Sequence, residues 1–226
     1  MTTLVIAAHP DDEVLGCAGT IAKLTGEGEA VHVAILGEGL TARYGNRSDA
    51  DKTALGFLAE TSKRVAGRLG VKEVVHYSLP DNRFDSVPLL DVIKIVEELV
   101  DRLKPCRVFT HHGGDLNIDH SITFRATVTA LRPFNGSPVK SIYMYEVPSS
   151  TDWAFGKVAR GFSPNAFVDV SGTLEAKLEA MRMYETEMRV FPHPRSEEAL
   201  RATAIRWGSV AGLNAAEAFE IFREIL

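Results

Sequence analysis

His9-Pro10-Asp11-Asp12-Glu13 puts an imidazole and three consecutive carboxylates where the apolar run Leu4-Val5-Ile6-Ala7-Ala8 stops. Three adjacent acids repel one another and resist removal from water, so a cation among them would remove the penalty. His9 and Asp12 offer one borderline nitrogen and one hard oxygen, a pair suited to zinc, while Asp11 between them is free for other work. A plain helix start would account for the acids through the helix dipole but leaves His9-Pro10 unexplained. A second stretch, His111-His112-Gly113-Gly114-Asp115-Leu116-Asn117-Ile118-Asp119-His120, is equally crowded with ligand-type side chains and also follows a short apolar run. In a doubly wound sheet such strand ends share one edge, where His120 can meet His9 and Asp12. Side chains alternate along a strand, so one of His111 and His112 is expected to face the pocket.

The elements that must position these residues read as alternating strands and helices. Apolar runs predict strands over 3–8, 30–36, 74–77, 107–110, 141–146 and 166–170. Helical spacing predicts helices over 14–25, 51–69, 87–103, 121–131 and 174–188. Two closing helices are expected over 197–210 and 215–225, split by Gly212-Leu213-Asn214 with Asn214 as N-cap. The alternation predicts an α/β fold, a mostly parallel sheet with helices on both faces. Gly37 and Gly39 follow the second strand run, but no GxGxxG follows the first, so a dinucleotide site is not expected.

Bulk properties narrow the function classes. The 226 residues, 45% hydrophobic and 24% charged, suit one sizeable core and one domain. A net charge of -5 without basic runs argues against nucleic acid and against a polybasic membrane patch, leaving a small molecule as the expected partner. Cys17 and Cys106 lie far apart beside apolar segments, which fits reduced thiols and a cytoplasmic protein. No leader-like segment stands at the first residues, and no apolar run approaches the roughly 18 residues of a membrane span, so insertion is not expected.

Ala-His-Pro-Asp-Asp-Glu at 8–13 and Asp119-His120 opening a later helix resemble the motifs of the LmbE-like, or PIG-L-like, zinc-dependent N-deacetylases. Residues 69–71, 79–82 and 215–219 extend the likeness over nearly the whole chain. The resemblance implies a Rossmann-like, single-domain protein over 1–226 that removes the acetyl group from an N-acetylglucosamine-type amino sugar or conjugate. It makes His9, Asp12 and His120 the ligands of a zinc ion and Asp11 the general base, and the two-nitrogen, one-carboxylate donor set also suits iron(II) or cobalt. Asn117 departs from the pattern, because many members carry histidine there; an asparagine donates to an oxyanion but cannot titrate. Glu13 and Asp119 are expected to orient the site. Arg43, His112, His193 and Arg195 are expected substrate contacts, the last two in a segment stiffened by Pro192 and Pro194. Two alternatives stand beside this reading: an amidase acting on another N-acyl conjugate, and a metal-binding subunit without catalysis. Proteins of this class and size often form symmetric homo-oligomers.

Overall fold

The central strand β1 (Thr2–Ala7) anchors the computed structural model, which describes residues 1–134 and 136–226. Val5 and Ala7 enter one hydrophobic core while Leu4 and Ile6 enter a second on the opposite face. Burial on both sides is why this run is apolar without alternation. β2 (Ala30–Gly37), β3 (Glu73–Leu79), β4 (Arg107–His111), β5 (Ser141–Tyr145), β6 (Ala166–Asp169) and β7 (Ala216–Glu224) complete one sheet in the order β3-β2-β1-β4-β5-β7-β6. Strands β1 to β5 pair parallel, and β7 runs antiparallel to both its neighbours. The fold is α/β, Rossmann-like and mostly parallel.

Helices α1 (Asp12–Gly26), α2 (Lys52–Arg68), α5 (Leu174–Met183) and α6 (Glu197–Ala211) contribute Ile21, Val65, Leu178 and Leu200 to the first core. Helices α3 (Leu89–Leu103) and α4 (Ile118–Ala130) contribute Val96 and Ala126 to the second. The chain leaves β1 toward β2 and β3, then returns to lay β4 on the other side of β1. Strand order reverses there, and the carboxyl ends of β1 and β4 open a crevice. Among the described residues no helix is long and apolar enough to cross a membrane.

The structure corrects two boundaries. Where a helix over 215–225 is expected the chain forms the strand β7 (Ala216–Glu224), and Asn214 caps no helix. Alanine and glutamate favour helix locally, but pairing with both β5 and β6 buries Ala216 to Glu220, and this tertiary gain overrides propensity. Helix α5 stops at Met183 instead of 188; the chain then turns, with Glu187 N–H donating to the Tyr184 carbonyl, which brings Glu187 to the crevice wall and the Tyr184 hydroxyl to Glu13.

Candidate active site

His9 leaves β1 and Asp12 opens α1, while Asn117 caps α4 and sets His120 in its first turn. The crevice therefore gathers His9, Asp12 and His120, whose ligand atoms lie within 4.8 Å of one another. Asp12 Oδ2 stands 3.3 Å from His9 Nδ1 and 3.3 Å from His120 Nε2. His9 Nε2 faces away from this trio and bonds Asp119 Oδ2 at 2.9 Å. Asp119 also accepts from the N–H groups of Asn82 (2.6 Å) and Phe84 (2.9 Å), so it is a fixed acceptor that selects the His9 tautomer and turns Nδ1 inward.

A second grouping of His9, Asp81 and Asp119 lies on the other side of the ring. Its oxygens are already engaged: Asp81 accepts from Ala42 N–H at 3.0 Å and Asn82 Nδ2 at 3.1 Å, and Asp119 carries three donors. The first trio, two imidazoles and one carboxylate with a partner set behind His9, has the donor chemistry that zinc takes.

Asp11 is over-determined. Its φ of 110° is strained for a residue with a side chain. Its N–H donates to Glu13 Oε2 at 3.0 Å, its carbonyl accepts from Val14 and Leu15 at 2.9 Å each, and Arg195 Nη1 donates to its Oδ2 at 2.8 Å. Glu13 is itself held by Tyr184 Oη at 2.7 Å. Arg195 is braced from behind by Ser149 Oγ at 3.1 Å. Arg43 Nη2 grips both oxygens of Glu187 at 2.7 and 2.8 Å, and Glu187 Oε2 lies 3.9 Å from Arg195 Nη1. Around these groups is a cavity of about 180 Å³ whose lining includes His9, Asp11, Asp12, Arg43, Asp81, Asn117, His120, Glu187 and Arg195.

The crowding shifts proton affinities. Burial raises the Asp11 carboxyl well above its usual range against the pull of Arg195. Burial acts to raise Asp12 too, but His120 and His111 hold it well below. Burial works against the charged form of His120, yet Asp12 and Asp115 raise it to about 9; Asp115 Oδ2 is 3.2 Å from its Nδ1. Burial pushes Glu13 up to about 7 despite the Tyr184 hydroxyl.

Helix α1 is broken at Cys17, whose φ of -151° and ψ of 22° are not helical. Across the break Glu217 of β7 accepts from Gly19 N–H (3.0 Å) and Thr20 N–H (2.7 Å), while Lys177 of α5 donates to the Leu15 carbonyl (2.8 Å) and to Glu217 (2.6 Å). This buried ion pair satisfies backbone groups that a broken helix would otherwise orphan. The ring of Tyr145 packs where a Cβ on residue 16 would sit, so Gly16 permits the close approach.

The expected residues are thus divided. His9, Asp11, Asp12, Asn117, His120, Arg43 and Arg195 converge on the cavity, with Glu13 and Asp119 directly behind. Arg43 and Arg195 are tied to carboxylates instead of standing open. His112 does not reach the cavity: it points to the other side of the strand end from His111, bonds the Arg160 carbonyl at 2.9 Å and packs its edge on Phe162. His193 stands beside the cavity lining, where its Nδ1 accepts from Arg195 N–H at 3.1 Å and its ring meets the Trp153 edge. Glu187, Asp81, Tyr184 and Asp115 were not expected as site residues with these partners; Asp81, in the 79–82 turn, and Asp115, inside the polar stretch after β4, carry a sequence signal, whereas Glu187 and Tyr184 carry none.

A family model described as PIG-L, GlcNAc-PI de-N-acetylase, matches residues 4–131. The chain is 27% identical over 189 residues to an uncharacterized deacetylase of Escherichia coli (strain K12), covering 81% of this chain and 90% of that protein. It is 28% identical over 228 residues to the diacetylchitobiose deacetylase of Thermococcus kodakarensis, covering 95% and 80%. The solved N,N'-diacetylchitobiose deacetylase of Pyrococcus horikoshii matches with a TM-score of 0.78 at 22% identity, covering 98% of this chain and 84% of that one, a likeness of fold.

Proposed function

Because the chain belongs to the PIG-L family, we propose that it is a metal-dependent N-deacetylase that hydrolyses the acetamide of an N-acetylglucosamine-type sugar or conjugate, with one domain carrying the whole site. Asp11 carries this reading: a strained, buried carboxylate is held at the cavity wall beside an imidazole–carboxylate–imidazole trio.

In this reading His9 Nδ1, Asp12 and His120 Nε2 hold zinc, with iron(II) or cobalt fitting the same donors. When bound, the metal lowers the pKa of a coordinated water to about 7 and polarises a carbonyl oxygen. Asp11 accepts the proton of the attacking water and returns it to the departing amine. Burial raises the proton affinity of Asp11, which suits a base, and Arg195 Nη1 fixes the carboxylate's position by donating to its Oδ2. Asn117 uses its Oδ1 to cap Asp119 N–H at 2.9 Å, which leaves its Nδ2 as the group able to donate to a developing oxyanion. Asp119 and Asp115 keep the two imidazoles oriented.

Acetate release from a panel of N-acetylated sugars tests the activity. Asp11→Asn should retain the metal and lose turnover by about 10²–10⁴-fold, the range of general acid–base assistance, whereas His120→Ala should weaken metal binding itself. Turnover by Asp11→Asn at the wild-type rate would remove Asp11 from the chemistry. Cleavage of other N-acyl conjugates with no acetate from any amino sugar would favour the broader amidase.

A further inference from the structure

The cavity lining contains four carboxylates, Asp11, Asp12, Asp81 and Glu187, and two guanidiniums, Arg43 and Arg195. Both guanidiniums are engaged. Arg195 bonds Asp11, and Arg43 grips both oxygens of Glu187 at 2.7 and 2.8 Å. Glu187 is 7% exposed and also accepts from Thr186 Oγ1 at 3.0 Å, so it is seated in the wall. Arg47, on the same loop as Arg43, is likewise paired with Glu38. Among the described residues, then, no cation lining this cavity lacks a carboxylate partner.

A site built to bind an acidic sugar presents an open arginine, because a planar fork matched to a carboxylate gives the strongest such contact. Here one nitrogen of each guanidinium is already held from within the protein, Arg43 Nη2 by both oxygens of Glu187 and Arg195 Nη1 by Asp11. Building on the deacetylase reading, we infer that Glu187 is a specificity-determining residue: it occupies Arg43 and flanks Arg195, so that the cavity accepts an uncharged N-acetylglucosaminide and rejects one whose aglycone bears a carboxylate. An acidic aglycone approaching Arg43 finds Nη2 already taken and meets the adjacent charge of Glu187, and like-charge juxtaposition is an effective means of exclusion.

The test compares two ligands, the methyl glycoside of N-acetylglucosamine and a glycoside of the same sugar with a carboxylate aglycone. Binding is read by calorimetry and turnover by acetate release, using zinc-loaded wild type, Glu187→Gln, Glu187→Asp, Arg43→Met and the Glu187→Gln/Arg43→Met pair. Wild type should favour the neutral glycoside. Glu187→Gln should move the neutral-to-acidic Kd ratio toward the acid by on the order of tenfold or more, the worth of one charge-assisted bond. Glu187→Asp should keep the wild-type preference, and adding Arg43→Met to Glu187→Gln should forfeit the gain. Arg43→Met alone, which leaves the charge of Glu187 unpaired and decides the matter should Glu187→Gln fail to fold, should not improve binding of the acidic ligand.

A wild type that prefers the acidic glycoside overturns the inference. So does a ratio that Glu187→Gln leaves within twofold, a tenfold selective gain of acid binding in Arg43→Met, or a wild type that binds neither glycoside. Binding of both ligands without acetate release refutes the deacetylase reading instead, and the Kd ratios still judge Glu187.

Discussion

Asp119→Asn separates what orients the site from what holds the fold. Asp119 is fully buried and its carboxylate meets three donors: His9 Nε2 and Asn82 N–H on Oδ2, and Phe84 N–H on Oδ1. An asparagine has one oxygen for these three. With its oxygen toward His9 and Asn82, its NH₂ opposes the Phe84 N–H; with the amide reversed, His9 and Asn82 both lose their acceptor. Either way a buried backbone donor is orphaned, which costs about 1–3 kcal/mol of stability. His9 also loses its anionic partner, and such a loss typically weakens metal affinity about 10–100-fold. Urea unfolding reads the first effect, and competition for zinc against a chromophoric chelator reads the second. Asp81→Asn serves as the comparison, because Asp81 is farther from His9, at 3.3 Å, and should weaken zinc less. Wild-type zinc affinity in Asp119→Asn, or a larger loss in Asp81→Asn, would refute the assignment of Asp119 as the partner of His9.

Two further outcomes follow from buried charges outside the cavity. Lys177→Met strands Glu217 as a buried, unpaired carboxylate and should cost about 3–5 kcal/mol in urea unfolding; a loss under about 1 kcal/mol would mean that the two N–H groups at the α1 break suffice. Glu146, raised by burial to about 7 despite the Trp207 indole donor, holds its proton more tightly folded than unfolded. Its contribution is therefore fully present below its ordinary value of 4.5 and is lost as pH rises through about 7. Glu146→Gln, which keeps an acceptor for Trp207, should gain on wild type by about 2–3 kcal/mol between pH 5 and pH 8. Parallel stability–pH curves for the two proteins would contradict that burial effect.

What was legible in the sequence was legible for local reasons. A strand covered on both faces must be apolar without alternation, so β1 announces itself, and the charged motif at its end has few uses other than holding a cation. Proline and glycine fixed most boundaries, as at Gly70 after α2, where φ is +73°. What stayed hidden depends on tertiary partners. Residues 216–224 carry helix-forming alanine and glutamate, and only the two flanking strands make them a strand. Asp81 reads as turn chemistry, which it does supply beside Asn82 at φ 53°, and its approach to His9 depends on how β3 meets β1 through β2. Glu187 lies in a turn whose only mark is the early end of α5, and its role exists only because Arg43 arrives from 144 residues away. For His111 and His112, which of the two faces the metal ligands is set by strand parity, and His111, stacked on His120 at 4.1 Å, takes that side.

The broken helix α1 has a consequence for the order in which a newly made chain acquires its parts. His9, Asp12 and His120 all belong to the first 120 residues, at the end of β1 and the starts of α1 and α4. Arg195 is 184 residues beyond Asp11, and Glu217 is 198 residues beyond Gly19. In a chain growing from the ribosome the residues of this trio are therefore made well before the arginine that fixes Asp11 and the carboxylate that bonds across the α1 break. The last strand to emerge is the one whose glutamate bonds across the break in the first helix.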